Sequence, residues 1–198
     1  MLPTYRVKRM NLNKLILVPC LFLAASASAQ VYNIDASHTY PSFEADHMGL
    51  SFWRGKFTKS SGKIVLDRQS KTGGSVEIAI DASTVDFGHA KMNEKARGDE
   101  MFNVAKFPII SYKSTALKYE GERLVAVDGE MTMLGISKPL SLTLTHFKCV
   151  IHPLHKREVC GADAHGRFDR SDFGMNIGLP RFSPEIKLAI QVEGIKAD

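Results

Sequence analysis

The chain of 198 residues has no uninterrupted apolar run of the roughly 20 residues that a membrane-spanning helix requires. Its longest run, Leu15 to Ala25, has 11 residues. Basic residues precede this run and the small residues Ala27-Ser28-Ala29 follow it, which is the order of parts in a secretory signal. We therefore predict a signal peptide over residues 1–29 and a mature chain, residues 30–198, with no stable membrane insertion.

Acidic residues are absent from the predicted signal peptide, and this absence explains most of the positive charge of the chain. The full sequence has a net charge of +5, and four of its 26 basic residues lie in the first 29 positions. Residues 30–198 therefore hold 22 basic and 21 acidic side chains. So small an excess gives little attraction for a phosphate backbone, and we exclude nucleic acid as a partner.

Cysteine is scarce, with three residues in the chain, and Cys20 falls within the predicted signal peptide. Cys149 and Cys160 remain, and the cysteines of an exported protein meet an oxidising compartment. We predict a disulfide between them, joining neighbouring strand ends. A metal site is the alternative, because His152 and His155 complete the pattern C-x2-H-x2-H-x4-C, although this spacing is not typical of zinc fingers.

Motifs of common enzyme classes are also missing. The sequence has no G-x-S-x-G nucleophile elbow, no H-E-x-x-H zinc motif and no glycine-rich phosphate loop. Seven histidines and several Asp and Ser residues could supply a catalytic triad. Without a recognisable motif, however, we predict a protein that is not an enzyme and has no resident cofactor.

Alternation of apolar and polar residues dominates the chain beyond residue 30. Val76, Ile78 and Ile80 face one side of their segment and polar residues face the other, which is typical of a half-buried strand. Leu140 to Thr145 and Glu185 to Glu193 repeat this pattern. Less regular segments bring the set to about eight strands: Tyr32 to Phe43, Gly55 to Asp67, Phe107 to Tyr119, Arg123 to Met133 and Val159 to Phe168.

Short glycine-containing turns join these segments, so consecutive strands are predicted to be antiparallel. Alternation stops between Phe87 and Val104, where Ala90 to Arg97 contains good helix formers and Gly98 follows as a stop signal. Antiparallel strands of this number form a sandwich or a closed barrel, and closure removes both exposed edges. We predict an all-β fold, an eight-stranded antiparallel barrel with a short helical insert, its interior filled or holding one small ligand.

Several short motifs follow one another along the predicted mature chain. The most specific is Gly129-x-Met131-Thr132-Met133-Leu134-Gly135-Ile136-Ser137-Lys138-Pro139. The others are Tyr32-x-Ile34-Asp35-x-x-His38, His47-x-Gly49-x-Ser51, Gly55-x-Phe57, Phe102-Asn103 with Phe107-Pro108-x-Ile110, and Arg170-Ser171-Asp172-Phe173-Gly174-Met175. Together they resemble the YceI-like family of periplasmic polyisoprenoid-binding proteins, over essentially the whole of residues 30–198.

The resemblance implies an extended lipocalin-like barrel, a periplasmic location and an amphiphilic lipid as partner. That lipid would be a polyisoprenoid, either an isoprenoid quinone or a prenyl phosphate, or a fatty-acid-like molecule, bound for transport or storage. Two alternatives stay open: a scavenger of other hydrophobic small molecules, or a filled barrel that serves as a protein-interaction module. The oligomeric state is open too, with a dimer among the options. The segment between Cys149 and Cys160 is not general in the family, so the role of its histidines is undecided.

Large, soft side chains concentrate in the first strands, the helical insert and the Asp-Phe-Gly segment. A helix over one end of a barrel directs apolar side chains inward and gives a movable lid. We therefore predict that the mouth and upper cavity are lined by Phe43, His47, Phe52, Phe57, Phe87, Met92, Met101, Phe102, Phe107, Tyr112 and Phe173. Candidates for contacting a quinone or phosphate head group are His38, His47, Arg54 and Tyr112.

Overall fold

The computed structural model describes residues 3–4, 29–68 and 73–198. Nearly all of the predicted signal peptide therefore lies outside the described residues. Within the ranges that are described, no helix is both long enough and apolar enough to cross a membrane.

Strands make up most of the described chain. One short helix, α1, covers Ala90–Arg97, and single turns of 3₁₀ helix cover Ala82–Thr84 and Arg170–Phe173. The strands in these ranges are β1 (Gln30–Ile34), β2 (Tyr40–His47), β3 (Ser51–Phe57), β4 (Ser60–Leu66), β5 (Gly74–Asp81), β6 (Val85–Asp86), β7 (Ile109–Glu120), β8 (Arg123–Met133), β9 (Ile136–Ile151), β10 (Glu158–Asp169) and β11 (Glu185–Lys196).

Eight of these strands close into a barrel. Their order is β1-β4-β5-β7-β8-β9-β10-β11, and β11 returns to β1, so the ring itself has no free edge. The closing contact is antiparallel, with Tyr32 opposite Lys196 and Ile34 opposite Gly194. The other three strands, β2, β3 and β6, continue from β11 as a side sheet. The predicted eight-stranded antiparallel barrel with a short helical insert is confirmed.

Two segments that we predicted as single strands are each divided in two. The segment predicted over Tyr32 to Phe43 forms β1 and β2 with a turn between them. Asp35 makes this turn, because its carboxylate accepts a hydrogen bond from the Ser37 amide and its carbonyl accepts one from the His38 amide. The segment predicted over Gly55 to Asp67 forms β3 and β4. Alternation does not reveal such breaks, since the pattern continues on both sides of each turn.

The helix α1 has the predicted bounds, and local hydrogen bonds fix it. The His89 side chain accepts a hydrogen bond from the Met92 amide at 3.2 Å and so caps the N-terminus. Gly98 follows the last turn and donates its amide to a helical carbonyl. The Asn93 side chain accepts a hydrogen bond from the Phe87 amide at 2.7 Å, which ties the helix to the segment after β6.

Buried side chains from the ring strands and the side sheet form one hydrophobic cluster. Beneath α1, the ring of Phe43 lies 5.7 Å from that of Phe57 and 5.4 Å from that of Phe87, measured between centroids. At the opposite end, Tyr32 and Leu66 are fully buried. Between the two ends, the inward-facing side chains surround an open space.

Candidate functional site, a cavity inside the barrel

A cavity of about 450 Å³ occupies the barrel interior. This volume falls in the range of small-molecule binding sites. Almost all of its wall is apolar, because the inward faces of the alternating strands supply it. Three of the faces identified from alternation line it together: Val76, Ile78 and Ile80 of β5, Leu140, Leu142 and Leu144 of β9, and Ile186, Leu188, Ile190 and Val192 of β11.

The cavity reaches the surface at the end formed by the side sheet, α1 and the segment from residue 174 to 184. Its wall there includes half-buried side chains and the exposed Lys95. Trp53 stands at the centre of a group of rings. Its indole stacks on His47 with 5.5 Å between centroids and an interplanar angle of 19°, and it also contacts Phe87 and His89. The ring of Phe182 also contacts His47, tilted by 46° with 5.6 Å between centroids. We call this the open end.

The helical insert contributes to the wall of the open end. Met92 and Lys95 of α1 line the cavity, as do Met101 and Phe102 of the turns that follow. Phe102 is 8% exposed and its ring lies 5.3 Å from that of Phe57. The insert therefore supplies three apolar side chains and one lysine to the cavity wall, and its role as a movable lid stays a prediction.

The opposite end is closed by a network of polar side chains. The Tyr32 hydroxyl donates a hydrogen bond to Gln30 at 2.8 Å and also lies 3.1 Å from Glu158. Arg68 pairs with Glu158 at 2.8 Å and bonds to Gln30 at 3.2 Å. Burial, reinforced by the negative charge of Glu158, raises the pKa of Tyr32 to about 12. We call this the closed end.

A disulfide between Cys149 and Cys160 crosses the closed end, as predicted. The two residues lie opposite each other in β9 and β10, with 4.0 Å between their Cα atoms. Cys160 is 7% exposed and lines the cavity. The bond therefore joins adjacent strands of the ring itself.

Tyr112 lies in the cavity wall with its hydroxyl already in use. The hydroxyl oxygen is 3.0 Å from the carbonyl of Val127 and 3.2 Å from that of Leu140. A Cβ at Gly129 would stand 2.5 Å from the Tyr112 ring, so the ring can pack against this position only because residue 129 is a glycine. Burial raises the pKa of Tyr112. The side chain therefore offers the cavity a ring face rather than a free hydroxyl.

Arg170 is a charged residue in the wall of the open end. It follows β10, and its backbone amide donates a hydrogen bond to the Pro184 carbonyl at 3.0 Å. The side chain is 7% exposed, and its Nη1 donates to the Met175 carbonyl at 2.8 Å. Burial lowers the pKa of Arg170. Within the described residues, no carboxylate forms an ion pair with it.

The predicted site residues divide into two sets. Those that lie in the cavity wall are Phe43, His47, Phe57, Phe87, Met92, Met101, Phe102 and Tyr112. The other three lie elsewhere. Phe52 is 48% exposed on β3 beneath the ammonium group of Lys187. Phe107 packs against Gly135 of the β8–β9 turn, and Phe173 is buried against Phe168 at 5.4 Å.

The four head-group candidates are also separated in space. Only His47 stands at the open end with its ring beside the cavity. His38 lies 2.8 Å from the Asp35 carboxylate, and this hydrogen bond raises the pKa of His38. Arg54 is exposed and pairs with Glu44 at 2.6 Å. The Tyr112 hydroxyl is hydrogen-bonded to backbone carbonyls and is therefore not free to contact a head group.

Our site prediction omitted several wall residues at the open end, among them Trp53, Lys95, Arg170 and Phe182. Trp53 carried a usable signal, since it lies an even number of residues before Phe57 in the same strand and so shares its face. Arg170 and Phe182 lie in turns, where alternation does not indicate whether a side chain points into the barrel.

The metal alternative for Cys149 and Cys160 is wrong, because a disulfide leaves no thiolate to bind a metal ion. His152 and His155 contact each other in the hairpin turn, with 4.7 Å between ring centroids and 40° between ring planes. A second group of possible ligands in the described chain, Asp35, His38 and Glu193, has its donor atoms within 4.8 Å of one another. His38 of this group is exposed, and its carboxylate partner already holds it by a hydrogen bond.

Comparison with known proteins gives matches over nearly the whole chain. A family model described as the YceI-like domain matches residues 32–194. The protein named YceI of Salmonella arizonae is 32% identical over 188 residues, which cover 94% of this chain and 97% of that protein. The YceI protein of Salmonella enteritidis gives the same values.

Solved structures share the fold at lower sequence identity. BcnA of Burkholderia cenocepacia has a TM-score of 0.67 at 18% identity, with 81% of this chain and 98% of that chain covered. A polyisoprenoid binding domain of Saccharophagus degradans, described as implicated in plant cell wall breakdown, has a TM-score of 0.60 at 13% identity. That match covers 85% of this chain and 99% of the neighbour.

Proposed function

The chain belongs to the YceI-like domain family, and from this premise we propose that it binds one long-chain amphiphile inside its barrel. Candidate ligands are polyisoprenoids, both isoprenoid quinones and prenyl phosphates, and fatty-acid-like molecules. The polyisoprenoid-binding domain among the structural neighbours supports the lipid class as a proposal. Transport or storage of the ligand is the role that we assign.

The cavity of about 450 Å³ with its apolar wall is the observation that carries the proposal. Each methylene group moved from water to such a wall contributes about 0.8 kcal/mol, so a tail of about ten buried methylenes gives about 8 kcal/mol before the costs of association. Contact with the wall therefore suffices for useful affinity. The open end, with its rings and lid, is the side from which we expect the tail to enter.

Binding of this kind needs neither a catalytic group nor a resident cofactor, and the proposal assigns none. We place the function in the periplasm. The order of basic, apolar and small residues in positions 1–29 supports this location. The disulfide supports it as well, since such bonds persist in oxidising compartments.

The first test is native mass spectrometry of the protein purified from its own host, followed by organic extraction. A bound amphiphile that dissociates at the extraction step supports the proposal. If no lipid is found and added long-chain amphiphiles leave the melting temperature unchanged, lipid binding is refuted. A protein-interaction module or an enzyme would then be the better hypothesis.

A matched pair of variants tests whether the cavity is the binding site. Leu142 lines the cavity, whereas its neighbour Thr143 is exposed on the outside of the same strand. Leu142→Trp places an indole ring in the space that the tail would occupy, so we expect the variant to lose most of the retained ligand. Thr143→Trp adds the same ring outside and serves as the control. Equal ligand content in both folded variants would contradict binding inside the barrel.

A further inference from the structure

The cavity wall contains a charge that an apolar tail does not explain. Arg170 is 7% exposed, and a guanidinium group keeps its proton at neutral pH. Removing such a cation from water is costly unless a counter-charge or a full set of acceptors replaces the water. Each of the five N–H groups of Arg170 therefore needs an acceptor in place of water.

The neighbours supply only part of that requirement. The side chain makes one hydrogen bond to a described residue, from Nη1 to the Met175 carbonyl at 2.8 Å. No Asp or Glu of the described chain lies within ion-pair distance. A buried arginine in a ligand cavity is thus left with donors and a positive charge to offer.

Hydrogen bonds hold Arg170 in the cavity wall at the open end. The Arg170 amide bonds to Pro184 and the guanidinium to Met175, so both ends of the residue are tied to the segments that frame the open end. Lys95 of α1 lines the same cavity and is exposed. Among the described residues, Asp46 is the one carboxylate in the wall, and it already accepts hydrogen bonds from the amides of Gly49 at 2.9 Å and Ser183 at 3.4 Å.

We propose that Arg170 binds the anionic head group of the ligand, a carboxylate or a phosphate, while the ligand tail fills the apolar cavity. This inference rests on the proposed function and narrows it. It selects anionic amphiphiles, such as fatty acids and prenyl phosphates, over neutral ones, such as quinones and alcohols. A planar guanidinium suits both anions, because each presents two oxygens to its paired N–H groups.

Two pairs of ligands with matched tails test this selection by isothermal titration of the purified protein after removal of bound lipid. Hexadecanoate is compared with hexadecanol, and farnesyl phosphate with farnesol. We expect each anion to bind roughly 10- to 100-fold more tightly than its alcohol, the range for a charge-assisted hydrogen bond. The stronger of the two preferences identifies carboxylate or phosphate as the head group.

Two arginine variants separate the charge from the tail. Arg170→Met keeps an apolar side chain of similar length but removes the charge, so we expect the preference for the anion to disappear while alcohol binding persists. Arg167→Met, on the outer face of β10 where Arg167 is exposed, is the control and should keep the preference. A purely structural role for Arg170 would weaken both ligands of a pair equally, and that result would overturn the proposal.

A measurement on the unmodified protein covers the case in which Arg170→Met fails to fold. Carbon-13 NMR of bound carboxyl-labelled hexadecanoate follows its ionisation with pH. A guanidinium beside the carboxylate lowers the pKa of the ligand below that of the free fatty acid, whereas a purely apolar wall raises it. A raised value overturns the role of Arg170. Failure of all four ligands to bind the wild type refutes the proposed function itself, which is a different result.

Discussion

The two ends of the barrel are held by different kinds of interaction. The closed end has a disulfide, the Arg68–Glu158 ion pair and the hydrogen bonds of Tyr32. The open end is held mainly by contacts between rings and by the Met and Phe side chains of the helical insert. Hydrogen bonds and crosslinks require fixed geometry, whereas apolar contacts do not.

This difference indicates how one small barrel can be both stable and accessible. At the closed end, directional bonds hold the strands of the ring together, and under the proposed function the ligand does not pass there. The Met and Phe side chains that cover the other end have no side-chain hydrogen-bonding groups, so we expect them to move apart around a tail without leaving such a group unpaired. We therefore expect closed-end substitutions to act on stability and open-end substitutions to act on ligand retention.

Removing the disulfide should have the largest effect on stability. The double change Cys149→Ala and Cys160→Ala should lower the free energy of unfolding by about 3 kcal/mol, because the crosslink constrains a short loop of the unfolded chain. Ligand content should change much less than stability, since the strand pairing remains and Cys160 is one of many side chains in the cavity wall. Urea denaturation, with lipid extraction in parallel, measures both quantities. Equal stability of wild type and variant under oxidising conditions would contradict the prediction.

Glu158→Gln should have the next largest effect. The carboxylate is 16% exposed and serves both Arg68 and Tyr32, so its loss should lower the free energy of unfolding by about 1–2 kcal/mol. Glu120→Gln is the matched control, since Glu120 pairs with Arg123 at 3.0 Å on the open surface. Its effect should stay below about 0.5 kcal/mol. If both variants lose a similar free energy of unfolding, the buried Arg68–Glu158 pair stabilises the protein no more than an exposed pair does.

Alkaline pH should weaken the closed end through Tyr32. The pKa of Tyr32 is raised from its ordinary value of 10.0 to about 12 in the folded protein, so the unfolded chain loses this proton first. The stabilisation is therefore complete below pH 10 and is lost as the pH rises toward 12. Tyr32→Phe should show a smaller fall of stability across that window. Parallel stability curves for the two proteins would contradict the assignment.

Met92→Glu should have the smallest effect on stability and a large effect on function. Met92 is half-buried on α1 and lines the cavity, so a carboxylate there can turn toward water in the free protein. We expect a stability change below about 0.5 kcal/mol but at least a tenfold loss of affinity for an amphiphile. Lys91→Glu places the same charge on the exposed side of the helix and should retain the ligand. Equal retention would show that the insert does not contact the tail.

Regular features of the fold could be predicted from the sequence. The bounds of β8 and α1 agree with the prediction to the residue, because alternation and helix signals are local properties. The disulfide followed from the number of cysteines and the predicted export. The division of two long segments into four strands could not be predicted, since a turn fixed by Asp35 does not interrupt the alternation around it.

The site was predictable only where a residue's face was known. Phe52 and Phe57 both belong to β3 and are an odd number of residues apart, so they must face opposite sides. The prediction placed both at the mouth and upper cavity, whereas Phe57 lines the cavity and Phe52 is exposed on the other face of the strand. Arg170 had no such signal. Its burial depends on contacts with Met175 and Pro184 in a loop whose course the sequence does not reveal.

Closure of the ring by β1 and β11 also determines when the protein can finish folding. These strands are the first and last of the described chain, and they meet where Tyr32 lies opposite Lys196. The meander from β7 to β11 can form from neighbouring segments, whereas the closing pair joins residues more than 150 positions apart and is entropically slow to form. Until β11 has paired with β1, the sheet therefore remains open. Pairing of β11 with β1 is the step that closes the barrel and encloses its cavity.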